Sequence, residues 1–202
     1  PASFPNLLVD PDGQGPRHAI NNNGLYLGNG VTAEANGQES PTATLDNDDG
    51  VLLNTIIAGD TSSTITILSS GTGFVDAWID FNGNGTWEAN EKVLSSEAVV
   101  AGANSVSVVL PPGVVFGEVA ARFRLSSAGG LATTGNAADG EVEDYLVSIL
   151  PENFIGLLPD PNRPGKTALF ITGTQASDTI LLSEQHETDL IQVRITGVII
   201  GS

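Results

Sequence analysis

Residues 80–91 read DFNGNGTWEANE and match D-x-[DN]-x-[DN]-G-x5-E at every specified position, through Asp80, Asn82, Asn84, Gly85 and Glu91. Alternate residues of a tight loop turn their oxygens toward one centre. Such a centre suits calcium, a hard cation that takes about six to eight oxygen ligands. The spacing predicts side-chain ligation by Asp80, Asn82 and Asn84, a backbone carbonyl from Thr86, a water-mediated contact from Glu88 and two oxygens from Glu91. Gly85 permits the sharp bend. Because two of the three inner ligands are Asn, little negative charge faces the ion, and the expected dissociation constant is roughly 10⁻⁴ to 10⁻³ M, the range of extracellular modules. Without a metal the same letters would make an Asn-Gly hairpin, but a hairpin requires neither Asp80 nor Glu91.

Two further acidic groups stand out, Asp46, Asp48 and Asp49 in LDNDDG and Glu141, Glu143 and Asp144 in GEVEDY. Each alone is an ordinary solvated cluster. If the two meet in space they form a second cation site. On a strand starting at Glu141, Glu141 and Glu143 share a face and Asp144 points away. Catalytic signatures are missing: there is no G-x-S-x-G, HExxH or phosphate-binding Gly-rich loop with Lys, and His18 and His186 are isolated in polar sequence. Trp78 and Trp87 flank the metal loop, where packing around the turn is the simpler role. No catalytic residue is assigned, and the chain reads as a protein that is not an enzyme.

The elements that must position these residues are short and strand-like. Hydrophobic residues make up 40% of the 202, aromatic ones only 5%, with 24 Gly and 11 Pro, a mixture that favours strands joined by many turns. The runs 51–57, 63–68, 74–81, 92–94, 105–110 and 119–125 are β-branched, partly alternating and bounded by Gly, Pro and Asn, and EDYLVSIL (143–150) continues the series. Both sides of the calcium loop therefore read as strands, where an EF-hand would have helices. Alternation sets Asp76, Trp78 and Asp80 opposite Ala77, Ile79 and Phe81, and Arg122 and Arg124 opposite Ala121, Phe123 and Leu125, which predicts one packed face and one wet face. The expected fold is all-β, a β-sandwich of Ig-like or jelly-roll-like type over residues 1–150. Residues 1–50 read as loops and a few edge strands. The proline-rich PENFIGLLPDPNRPGKT marks a linker, and residues 151–202 form a small C-terminal β extension of three strands that docks on a neighbour or continues into further sequence.

A net charge of −17, from 24 acidic and 7 basic residues, repels phosphate backbones and anionic membranes, so nucleic acid is excluded as a partner. No apolar run approaches the length of a membrane span. The absence of Cys removes disulfides and thiolate sites. The sequence begins at Pro1 with no signal peptide, and it is expected to be part of a longer polypeptide.

With GPRHAI (15–20), the stretch from LYLG to TAEANGQES (25–40), DNDDGV (46–51), WIDFNGNGTWEANE (78–91), RFRLS (122–126) and GEVEDY (140–145), the chain resembles the GEVED domain of large secreted and surface proteins of bacteria. The resemblance covers about residues 15–150, although the acidic stretch before DGV is shorter here. It implies a β-sandwich that stands in tandem or beside other surface modules, with a structural or adhesive duty. ITGTQASDTILLS looks like the entry to hemolysin-type calcium repeats, without their G-G-x-G-x-D-x-U-x units. The expected function is therefore a calcium-stabilised module of an extracellular or bacterial cell-surface assembly such as a fibre, sheath, surface layer or adhesin. Its expected partners are other copies or other surface proteins, joined by strand addition through RITGVII (194–200). The alternative is a glycan-binding accessory module of a secreted hydrolase, with Trp78 or Trp87 stacking on sugar.

Overall fold

A computed structural model of the chain describes residues 15–19, 24–30, 50–160, 163, 165–174, 177–185 and 190–197. The chain divides into two compact units, one of Pro1–Ile56 and Thr61–Ile149, the other of Ile57–Asp60 and Leu150–Ser202.

The first unit is an all-β sandwich. Its strands are β1 (Pro16–His18), β2 (Val51–Leu52), β3 (Ile56–Ile57), β4 (Ser62–Ser69), β5 (Gly73–Ile79), β6 (Lys92–Val99), β7 (Gly102–Val109), β8 (Gly117–Ser126), β9 (Gly135–Ala137) and β10 (Glu141–Leu150). One sheet runs β3-β10-β8-β5-β6, a second β2-β4-β7, and β1 and β9 form a parallel pair. Alternating residues of the two larger sheets supply the core. Ile65, Ile67, Val106 and Val108 come from one, and Val75, Ala77, Ile79, Phe123, Leu125, Val147 and Ile149 from the other. The run 51–57 is not one strand, because Val51–Leu52 pairs with β4 whereas Ile56–Ile57 belongs to the other sheet. Leu27, in the expected loop region, is fully buried and bridges to Ser69.

The second face of the five-stranded sheet is not wet, contrary to the alternation argument. Asp76, Trp78, Arg122 and Arg124 are at most 4% exposed. The segment between β8 and β9 lies over them and satisfies their polar groups with its backbone. Arg124 donates to the carbonyls of Ala132 (2.6 Å), Thr134 (2.8 Å) and Gly135 (2.9 Å), and Arg122 to that of Thr133 (2.9 Å). Asp76 accepts from Leu131 N (2.9 Å), Ser96 N (3.0 Å) and Lys92 Nζ (2.7 Å). Burial, with Arg122 close by, lowers the Arg124 guanidinium to about 10. Each buried charge thus has oxygens or donors around it, which is the condition for its burial.

The second unit holds two hairpins, β11 (Ile155–Pro159) with β12 (Thr167–Ile171) and β13 (Asp178–Gln185) with β14 (Leu190–Gly197). The proline-rich stretch is thus more than a linker, since FIGLLP supplies a strand. Pro151 precedes that strand and Pro159 ends it, at a position where a missing N–H breaks no ladder bond.

Candidate metal loop

The loop leaves β5 at Asp80, which is 2% exposed and whose own N–H is fixed to Ala120 O of β8 at 2.9 Å. Its carboxylate then organises the turn, accepting from Asn84 N (3.2 Å) and Gly85 N (2.9 Å). Gly85 has φ +77°, the left-handed conformation that favours glycine, as the bend at the sixth position requires. Asn82 Oδ1 accepts from Asn84 N at 2.9 Å, and Asn84 Oδ1 from Thr86 N at 2.8 Å and the Thr86 hydroxyl at 2.6 Å. A 3-10 turn, Ala89–Glu91, delivers the twelfth residue directly into β6. No α-helix flanks the loop.

Glu91 is fully buried. One of its oxygens, Oε2, accepts from Glu88 N at 2.9 Å. The other, Oε1, is buried without a hydrogen-bond partner. Burial above all raises the Glu91 carboxyl above its usual range, and the charges of Asp80 and Glu88 add to it against the backbone N–H groups of Glu88 and, least, Asn82, which pull it down. An unpaired buried carboxylate oxygen costs about 1–3 kcal/mol or more. A cation placed against it would offset that cost and the repulsion from Asp80 together.

Glu88, expected to reach an ion through water, makes a different set of contacts. Its Oε2 accepts from Asn82 Nδ2 at 2.7 Å and its Oε1 from Asn84 Nδ2 at 3.0 Å. Among the described residues no group of three or more His, Asp or Glu side chains is gathered as a metal site. A complete shell here would need the amide oxygens of Asn82 and Asn84 and the Thr86 carbonyl beside Asp80 and Glu91. That donor set is all oxygen and suits a hard cation.

The second expected site is not assembled among the described residues. Glu141 Oε2 accepts from Leu27 N (2.8 Å) and Glu143 Oε1 from Gly50 N (3.1 Å). Glu143 Oε2 also takes the Tyr145 hydroxyl (2.9 Å), which in turn accepts from Val51 N (3.0 Å). These acids serve as acceptors for backbone N–H groups of neighbouring chain. Asp144 lies on the opposite face and pairs with Arg122 through two bonds, 2.7 and 2.6 Å. Asp46, Asp48 and Asp49 lie outside the described residues, as does His186. His18, read as an isolated polar residue, sits beside the buried Arg124. Its Nε2 accepts from Arg124 Nε (3.1 Å) and its Nδ1 donates to Asp139 O (2.7 Å).

Neither tryptophan presents an open platform. Trp78 is 4% exposed with Lys92 Nζ 5.0 Å from its ring centre. Trp87 is half-buried, and the Arg122 guanidinium lies 5.7 Å from its ring centre. Sequence reasoning missed this link from the loop through Arg122 to Asp144. The Trp and Arg were visible, but which loop residue reaches which strand depends on the turn geometry.

Compared with known proteins, residues 74–148 match the family model described as the GEVED domain. No curated protein and no solved structure gives a significant match.

Proposed function

We propose, with a GEVED domain over residues 74–148 as the premise, that this chain is a non-enzymatic structural or adhesive module of an extracellular, bacterial cell-surface assembly, stabilised by calcium in the loop Asp80–Glu91. One observation carries the calcium reading: a fully buried carboxylate, Glu91, has an unpartnered oxygen beside the loop whose residues supply further oxygens. Asp80, Asn82, Asn84, the Thr86 carbonyl and Glu91 would hold the ion. When bound, calcium would supply two positive charges against the carboxylates of Asp80 and Glu91. The strands at either end make the ion a lock on a β-turn, with no helix pair to open.

A ligand that binds only the folded state raises its stability by mass action. At ~10 mM calcium and the affinity expected of this loop, the gain is about 1.4–2.7 kcal/mol, or roughly 3–10 °C in Tm. Thermal melting of the full chain with calcium and with chelator checks this. Asp80→Ala should abolish the shift, and an equal shift in that variant would overturn the assignment.

The second unit supports the assembly part of the reading. Ile180 (42%), Leu181 (54%) and Leu182 (60%) are exposed on β13, and by alternation they occupy both faces of a two-stranded hairpin, an arrangement marginally stable in water alone. A second copy that adds a strand would cover them. Residues 198–200 of RITGVII lie outside the described residues. Sedimentation in calcium should show concentration-dependent association that deletion of residues 189–202 removes. A strict monomer at all concentrations would overturn this part.

A further inference from the structure

We propose that Glu88 is a positioning residue of the calcium loop. Its carboxylate holds the side-chain amides of Asn82 and Asn84 so that their oxygens, not their nitrogens, are presented to the cation. This rests on the calcium reading above.

An asparagine amide has two ends of nearly equal size, and only the oxygen can ligate a cation. Asn82, Asn84 and Glu88 are exposed, so packing does little to choose between the ends. A single carboxylate makes the choice for both residues. Glu88 Oε2 and Oε1 accept from Asn82 Nδ2 and Asn84 Nδ2 at 2.7 and 3.0 Å, which pins both nitrogens on the Glu88 side. The freed Oδ1 atoms accept from the backbone of the turn, from Asn84 N and Thr86 N. Each carbonyl oxygen has two lone pairs, so Asn82 Oδ1 keeps one, and Asn84 Oδ1 regains one when the Thr86 hydroxyl rotates away. Glu88 is itself fixed to the turn that carries the deepest ligand, because its N–H donates to Glu91 Oε2 at 2.9 Å and Glu91 N donates to Glu88 O at 3.1 Å. One residue thereby sets the orientation of three others. This also accounts for a third carboxylate beside Asp80 and Glu91, where its charge otherwise only adds repulsion.

The role predicts a change of sign. Outer groups that orient metal ligands are worth about 10–100-fold in affinity. At an exposed loop the lower end applies, so Glu88→Ala should weaken calcium binding about tenfold, with Glu88→Gln, which can accept one amide, in between. In an Asn82→Asp/Asn84→Asp background there is no amide to orient and Glu88 faces carboxylates. There Glu88→Ala should leave the affinity unchanged or raise it. The readout is the calcium dependence of Tm for these full-length variants, with each metal-free Tm as the measure of folding. An equal loss in both backgrounds would make Glu88 a ligand and overturn the proposal, as would no loss in the wild-type background. A wild-type chain with no calcium response at all would remove the ion itself, and this role with it.

Discussion

The letters of GEVED have separate jobs at the scale of single residues. Gly140 (φ +85°) passes so close to β8 that any Cβ would run into the Leu125 carbonyl. Glu141 and Glu143 reach inward to the N–H groups of Leu27 and Gly50, and Asp144 reaches outward to Arg122. Glu143→Ala leaves the Gly50 amide and the Tyr145 hydroxyl without that acceptor, and it should lower stability by about 2–4 kcal/mol, measured by urea unfolding with calcium held constant. A loss below ~0.5 kcal/mol would mean that these bonds are replaced by water. The alternation of the motif was legible in the sequence. Which way its buried face pointed was not, because two carboxylates at one strand end read as wet until the amides opposite them are known.

Regular alternation revealed the elements wherever one side of a strand is covered by the partner sheet, as in β4, whose Ile65 and Ile67 point inward while Thr64, Thr66 and Leu68 between and beside them do not. It misled at β5 and β8, where the covering layer is an irregular segment whose carbonyls receive Arg122 and Arg124. Polar residues at every second position look the same under water or under a backbone that satisfies them. The bend of the loop at Gly85 was legible because its spacing is local. The grip of Glu88 on two amides was not, since it depends on side-chain directions within the turn. At this scale β1 is held by His18, and burial, with the Arg124 charge next to it, lowers that imidazole to about 4. A histidine with a depressed folded pKa contributes stability above its unfolded pKa of about 6.5 and loses it as pH falls toward the folded value. The stability of the metal-free chain should therefore drop between pH ~6.5 and ~4 by on the order of 1–2 kcal/mol, allowing for solvent screening. Glu91 acts in the opposite sense, because its raised pKa makes the folded state less stable once it ionises. His18→Gln keeps a donor and an acceptor without titrating, so chemical unfolding of that variant should lack the His18 part of the pH slope. An unchanged slope would show that His18 does not carry it.

For the whole molecule, the absence of Cys leaves packing and hydrogen bonds to hold the fold against a charge of −17, which bound cations would offset. Within that balance the loop Asp80–Glu91, which joins β5 to the edge strand β6, brings two buried acids together and touches β8 through Asp80 N and, by way of Trp87, Arg122. An ion there would stiffen the β5–β6 side of the five-stranded sheet, where the buried Glu91 carboxyl feels the charges of Asp80 and Glu88. Calorimetric titration of the full chain with calcium, beside Glu91→Gln, tests this most directly. We predict a single binding event with a dissociation constant of roughly 10⁻⁴ to 10⁻³ M, lost in Glu91→Gln. Heat that is absent in the wild type, or identical in the variant, would contradict the account.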